Sequence, residues 1–459
     1  MIQIYDSLTQ QKLPLKTIEP NKVKLYVCGS TVYDDCHIGH GRTYTAFDVV
    51  IRYLRYRGYE VTYVRNITDI DDKIINRAND QDCSCDNLVD HYIKRMHEDF
   101  DSLNLLRPDF EPRATETVEE IVQMIAGLVD QGFAYSTDKG DVYFRVGQFK
   151  DYGKLSKQSI EHLREGVRFE VDEQKEDALD FALWKSAKPN EPAWESPWSM
   201  GRPGWHIECS AMTKKCLGDT FDIHAGGNDL KFPHHENEIA QSEAHNGCTF
   251  AHYWMHSGMV NINEEKMSKS LNNFFTIREV LAEFDAEVAR YFLLSGHYRS
   301  VINYSKESLE NAHAALTRLY TAIRGLLIDI NKAEKNTVFE EAFISAMDDD
   351  FNTPEALSQL FILAKEINRL KADKDYDKAQ TLGSLLVKLG SVLGILQKDP
   401  EIFFHLDHDL ASEIEALIVK RNTAREERNW TEADRIRDKL TKMDITLEDT
   451  SEGTIWRKK

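Results

Sequence analysis

The feature that most narrows the fold lies between Val23 and Ile67, where the hydrophobic period changes twice. Val23 to Cys28 is a short apolar run of β-formers that ends in a Gly-containing turn. From Gly41 to Tyr56 the apolar residues Tyr44, Phe47, Val50, Ile51 and Leu54 recur at helical spacing, and Gly58 stops the run. Glu60 to Ile67 then alternates as a strand. Strand, helix and strand in so short a span form a βαβ unit, which requires parallel strands and predicts an α/β, doubly wound sheet. A second set follows downstream: strands at Phe221 to His224 and Phe250 to His256, with a helix from about Pro233 to His245. About 90 residues, Pro112 to Gly201, separate the two sets. They carry a helix of their own, a hairpin near Gly140 and an ordered loop rich in Pro and Trp (Trp184, Trp194, Trp198, Trp205). The layout predicts a Rossmann-like parallel sheet split by an insertion.

Beyond Ser305 the pattern is helical. Thr353-Pro354-Glu355 reads as a helix start with Thr353 as N-cap, and Thr431 reads as another N-cap. The chain ends in a strand pair, Ile445 to Leu447 and Thr454 to Trp456. At 459 residues the chain is too long for one core. The expected division is 1–111 and 201–262 for the two halves of the sheet domain, with 112–200 as the insertion. A lysine-containing loop region (263–304), an α-helical bundle (305–400) and a small mixed C-terminal domain (401–459) follow. No apolar run approaches the roughly 20 residues of a membrane span. The first residues do not read as a signal peptide. Seven scattered cysteines fit a reducing, cytoplasmic setting better than a disulfide framework.

Two short motifs point to ATP. His37-Ile38-Gly39-His40 falls between the first strand and its helix, where such sheets bind nucleotides and a helix N-terminus offers N–H donors. Gly39 lets a flat base approach the backbone, and the histidines can donate to phosphate oxygens. A lone His-x-x-His is more often a pair of cap or core histidines. Lys266-Met267-Ser268-Lys269-Ser270 lies just past the second half of the sheet. Its paired ammonium groups could neutralise charge on a leaving pyrophosphate, although a lysine-rich loop alone is usually solvated surface. A third set is metal-like. His234 and Glu238 share a helix face at i, i+4, and Cys28 and Cys209 add soft donors. Spacing alone makes this set weak, because single cysteines are commonly buried hydrophobes.

Taken in order, the two motifs resemble the signature pair of class I aminoacyl-tRNA synthetases. The stretches Gly201-Arg202-Pro203-Gly204-Trp205-His206-Ile207-Glu208-Cys209 and Phe232-Pro233-His234-His235-Glu236-Asn237-Glu238 are similar to cysteinyl-tRNA synthetases, as are Asn66 to Lys73 and Met347 to Pro354. The resemblance covers essentially the whole chain. It implies activation of L-cysteine by ATP with Mg2+, then transfer to the terminal ribose of tRNA(Cys). It assigns His37, His40 and Lys269, with Lys266, to ATP chemistry, Asp229 of Gly226-Gly227-Asn228-Asp229 to the ribose, and Thr68, Trp205 and His224 to the amino-acid pocket. It also implies one Zn2+ on Cys28, Cys209, His234 and Glu238. Four protein ligands must expand to five or loosen one to admit a thiolate, and Glu238 is expected to be the weak one. His235 is the rival ligand, set about 100° away from His234 on a regular helix. Asn272 replaces a glycine common in the family.

The net charge of −20 argues against unspecific RNA binding. Residues 420 to 459 hold 11 Lys+Arg against 9 Asp+Glu, a net of +2 that leaves −22 on the rest. RNA contact is therefore expected to be local, with Trp430, Asp434, Arg437, Asp438, Trp456 and Arg457 as candidates for reading the anticodon. The expected fold suggests a monomer. The alternative is a related cysteine ligase that delivers cysteine to an amino sugar and lacks the terminal domain.

Overall fold

The computed structural model describes residues 1–161, 174–189, 191–262, 265–266, 274–335, 337–404, 408–426, 429–443, 445–450 and 453–458. The chain forms two compact units, one of residues 1–312, 338–359 and 392–395, the other of 313–337, 360–391 and 396–459.

The first unit opens with a hairpin, β1 (Gln3–Asp6) and β2 (Gln11–Pro14), and then builds its sheet. β3 (Lys22–Val27) leads into α1 (Ile38–Tyr56), which returns to β4 (Glu60–Arg65), parallel to β3 with Val23 opposite Val61. Three conditions make α1 a helix of this length. His37 caps its start, Phe47, Val50, Ile51 and Leu54 bury one stripe, and Gly58 takes the positive φ of 86° that ends it. α2 (Asp72–Asp80) and α3 (Cys85–Ser102) follow.

The insertion contributes α4 (Val118–Asp130) and an antiparallel sheet in the order β5 (Ala134–Ser136), β6 (Val142–Phe144), β7 (Phe181–Ser186), β8 (Gly201–Pro203). The stretch expected to be an ordered loop thus holds two strands. Trp184, fully buried on β7, pairs with Pro203 of β8 and joins one apolar core with Leu128, Phe144 and Ile207.

The chain re-enters the parallel sheet through α5 (Trp205–Leu217), β9 (Phe221–Gly227), α6 (Glu236–Asn246) and β10 (Ala251–Ser257). The strand order is β10-β9-β3-β4, all parallel. β3 and β9 therefore meet at the switch point, where connections leave to opposite sides and a crevice opens at the strand ends. β11 (Val260–Ile262), β12 (Glu265–Lys266) and β13 (Ile302–Tyr304) form a small sheet around α7 (Ile277–Glu283) and α8 (Ala286–Leu294).

Helices dominate the rest: α9 (Lys306–Ile323), α10 (Val338–Asp348), α11 (Thr353–Ala372), α12 (Tyr376–Leu393) and α13 (Pro400–Phe404). α11 begins at Thr353, so its cap is Asn352, whose Oδ1 accepts from Glu355 N at 3.2 Å. The Thr353 hydroxyl instead donates to the Leu294 carbonyl at 2.8 Å. In the second unit, α14 (His408–Glu426) and α15 (Trp430–Lys442) pack with the hairpin β14 (Ile445–Thr450) and β15 (Gly453–Lys458). Asn429, not Thr431, caps α15. Among the described residues no helix is long and apolar enough to cross a membrane.

Candidate active site and metal centre

The crevice at the β3–β9 switch point is where the predicted ATP residues meet. His37 and His40 form a reciprocal cap: His40 N donates to His37 Nδ1 at 3.2 Å, and His37 N to His40 Nδ1 at 3.3 Å. Their rings stack with centroids 3.7 Å apart. A neutral imidazole that accepts at Nδ1 carries its proton on Nε2, so both rings are held in the tautomer that can donate outward. The cap and the phosphate-donor readings of this motif are therefore compatible. The chain after residue 273 docks on the same turn, with Ile38 N donating to Phe275 O at 3.0 Å and Ile277 N to Cys36 O at 2.8 Å. Lys269 and Asn272, and the side chain of Lys266, lie outside the described residues.

Two cavities share the histidine wall. One, of about 250 Å³, reaches from His37 and His40 to Cys28 and Trp205. The other, of about 300 Å³, runs past Gly39 to Asn228, Met259 and Val260. Asp229 lines both. Gly227, at the end of β9, keeps this passage clear, because a Cβ there would run into the Asp229 carboxylate, while a Cβ on the preceding Gly226 would lie 2.8 Å from the buried His235 ring. Of the three residues assigned to the amino-acid pocket, Trp205 faces the first cavity. Thr68 is buried behind its wall, bridged to Thr31, with its hydroxyl accepting from Asn66 Nδ2 at 3.3 Å. His224 is buried too, and belongs to the floor below.

That floor is a cluster of metal donors. Ligand atoms of Cys28, Cys209, His234 and Glu238 all lie within 4.8 Å of one another, and all four residues are buried. Cys28 continues β3, Cys209 comes from α5, and Glu238 comes from α6. His234 Nε2 is 3.1 Å from Glu238 Oε1, and Cys28 Sγ is 3.5 Å from that oxygen. Two thiols, an imidazole and a carboxylate at this separation fit a tetrahedral zinc-type site. The set is buttressed from outside: His224 Nε2 holds Glu238 Oε2 at 2.8 Å, and His206 Nδ1 faces His234 Nδ1 at 2.9 Å. Trp205 stacks on His234 at 4.2 Å and so joins cavity to cluster.

His235 departs from the expectation that it turns away. Its Nε2 is 3.3 Å from Cys28 Sγ, and its Nδ1 is 2.9 Å from His256 Nε2. Lys231–His235 is a wide π-type turn with Phe232 extended, so the regular 100° step does not apply across it. Cys28, His224, His235 and Glu238 consequently form a second convergent set. His206, His235 and His256 carried no distinctive spacing in the sequence. His235 is expected as a rival ligand to its neighbour His234, His206 lies one residue past Trp205 and three before Cys209, and nothing in the sequence marks His256.

Electrostatics favour a cation here. Burial pushes the Cys28 thiol well above its ordinary range. Cys209 moves down to about 6, chiefly through its hydrogen bond with Cys28. Burial works to raise Glu238, but His224 and His234 outweigh it and hold the carboxyl well below the usual range. His234 rises to about 10, because Glu238 prevails over burial. A dication entering the set must displace protons from Cys28 and His234, so its affinity rises with pH. Burial lowers His206, His235 and His256, the last to about 3, which leaves three neutral rings around the charged set at pH 7.

A family model described as the tRNA synthetases class I (C) catalytic domain matches residues 14–314, and one for the DALR domain matches 342–397. The cysteine–tRNA ligase of Francisella philomiragia is 60% identical over 456 residues, 99% of each chain. That of Francisella tularensis subsp. novicida is 61% identical over 456 residues, again 99% of each.

The chain belongs to the cysteine–tRNA ligase family.

Two solved structures carry the class I fold at far lower identity. A methionyl-tRNA synthetase of Mycobacterium tuberculosis in complex with methionyl-adenylate has a TM-score of 0.59 at 14% identity, covering 83% of this chain and 95% of that one. A putative arginyl-tRNA synthetase from Campylobacter jejuni has 0.55 at 12%, covering 84% and 95%. A third family model, the cysteinyl-tRNA ligase anticodon binding domain, matches residues 407–457, which leaves the amino-sugar ligase reading without support. Within that segment Trp430 is 60% exposed, and Arg437 pairs with Asp434 at 3.2 Å and reaches Asp438 at 3.9 Å. Trp456 is 3% exposed and packs with Ile414, Ile436 and Leu440, so as a base-stacking candidate it is withdrawn. The Arg457 side chain lies outside the described residues.

Proposed function

We propose that this chain is a cysteine–tRNA ligase whose buried Cys28, Cys209, His234 and Glu238 hold zinc and select the substrate thiol. The observation that carries this reading is the position of the cluster at the foot of the cavity lined by His37 and His40. Zinc bound there would supply a soft Lewis acid that prefers thiolate to hydroxyl. Cysteine and serine differ too little in shape for a pocket to separate them by size. Trp205 covers the cluster and Thr68 shapes the wall behind the amino acid. His224 holds Glu238 in place.

ATP, arriving as its magnesium complex, fits the second cavity with its ribose at Asp229 and its phosphates at the donor edges of His37 and His40. The cysteine carboxylate attacks the α-phosphorus and pyrophosphate leaves. Lys266 and Lys269 are proposed to neutralise the departing charge. A terminal ribose hydroxyl of tRNA(Cys) then takes the cysteinyl group, and the exposed Trp430 with Asp434, Arg437 and Asp438 contributes to reading the anticodon. The same reading has the enzyme acting as a cytoplasmic monomer. Exchange of labelled pyrophosphate into ATP tests it: exchange should require cysteine, fail with serine, and be lost on metal removal. Cysteine-independent exchange would overturn the substrate assignment.

A further inference from the structure

One cation in the cleft has no part in the scheme above. Among the described residues lining the cavity between the histidine turn and Cys28, Lys73 is the one lysine or arginine. It lines that cavity and not the adjoining one that runs to Met259 and Val260. Its Nζ lies 5.5 Å from the centroid of the Tyr33 ring, on the cavity wall.

The backbone that carries Lys73 is fixed on both sides. Asp71 caps α2 by accepting from Lys73 N at 2.8 Å. Asp72 is held by Lys185 at 2.9 Å and by the buried Arg202, both from the insertion's sheet. On the other side, the segment entering α2 is laced to the β3 loop, with Thr68 N donating to Ser30 O at 3.3 Å and Val32 N to Thr68 O at 3.2 Å. A long, exposed lysine is thus presented from a rigid first turn into the end of the cleft that also holds Cys28 and Trp205.

The charges there favour a cation. Asp34, Asp35 and Asp229 line the same cavity, the first two beside Arg77 and Arg95, and both proposed substrates are anionic at their reacting ends. A carboxylate brought between those aspartates and a polyphosphate is repelled unless an ammonium meets it. We infer that Lys73 is a further catalytic residue: its ammonium binds the α-carboxylate of the amino acid and stays with it as that oxygen bonds to the α-phosphorus. The bond from the α-phosphorus to the bridging oxygen breaks in the same step, and its electron pair leaves with pyrophosphate. No proton changes hands, so Lys73 remains charged throughout. This rests on the reading of cysteine and ATP as substrates.

Lys73→Gln and Lys73→Arg separate the possibilities. Pyrophosphate exchange gives KM for cysteine and for ATP, and cysteamine, which keeps the thiol and ammonium but lacks the carboxylate, serves as a competitive inhibitor. Lys73→Gln should raise the cysteine KM by about 10- to 100-fold. The cysteamine inhibition constant and the ATP KM should stay within about twofold of wild type, and Lys73→Arg should recover most of the loss. Equal weakening of cysteine and cysteamine, an unchanged cysteine KM, or an effect confined to ATP would each overturn the assignment. Zinc content and melting temperature of both variants guard against a folding defect, with Lys73→Arg carrying the test if Lys73→Gln is unstable. Wild-type protein without cysteine-dependent exchange would instead overturn the substrate reading beneath it.

Discussion

The two ends of the cleft are built differently. At the floor all four donors are buried and their neighbours brace them: Glu238 by His224 and His234, Cys28 by Glu238 and His235, His234 by His206. At the nucleotide end Asn228 and Asp229 are exposed on a short 3₁₀ turn, and His37 and His40 brace each other at a helix start. A dry, over-determined floor suits a choice that must be made by bond type, since a carboxylate and thiols cannot shift without stranding buried polar groups. An open rim suits groups that must follow charge as it moves from one oxygen to another.

The largest expected effect breaks the floor. Cys209→Ser or His234→Ala should abolish bound zinc and lower cysteine-dependent exchange by at least about 1,000-fold, beyond the roughly 10- to 100-fold typical of changes outside the ligand shell. Metal analysis alongside exchange checks both. Breaking the rim should do less and do it differently. His40→Ala should lower kcat by roughly 100- to 1,000-fold with zinc content unchanged, and loss of zinc in that variant would erase the distinction between the two ends. His224→Gln, behind the ligands, should weaken zinc by about 10- to 100-fold in a chelator competition while the protein stays folded.

The smallest effect is a control at Glu111, which lines neither cavity. Burial works to raise Glu111, but His97 at 2.7 Å and Arg65 at 2.6 Å outweigh it and hold it at about 2. Its folded value lies below its unfolded value of 4.5, so its contribution is present above that pH and lost as pH falls toward 2. Glu111→Gln should therefore cost about 1–2 kcal/mol near neutrality, and its denaturation curve should converge on wild type as pH drops below 4.5.

Much of this was legible in the sequence because the signals were periodic. The β3–α1–β4 unit announces itself through two changes of hydrophobic period, and His234 and Glu238 through helical spacing. Cys28 and Cys209 have no such signal. They meet because α5, which carries Cys209, packs against the end of β3 in one buried cluster with Tyr26 and Met212, which resemblance could suggest and spacing could not. His235 reaches the cluster because the wide turn at Lys231–His235 breaks the regular helical step that would carry it away from His234. The caps fall on Asn352 and Asn429, one and two residues before the threonines whose hydroxyls suggest the same role in sequence. Trp456 alternates on a short strand, and alternation alone does not say which face meets α14 and α15.

Cobalt in place of zinc tests most directly whether the floor chooses the substrate by its thiolate. Titrating the cobalt-loaded protein with cysteine should build a sulfur-to-metal charge-transfer band at near-ultraviolet wavelengths, while serine at the same concentrations leaves the spectrum unchanged. A spectrum indifferent to cysteine, or one that responds equally to serine, would contradict selection at the metal.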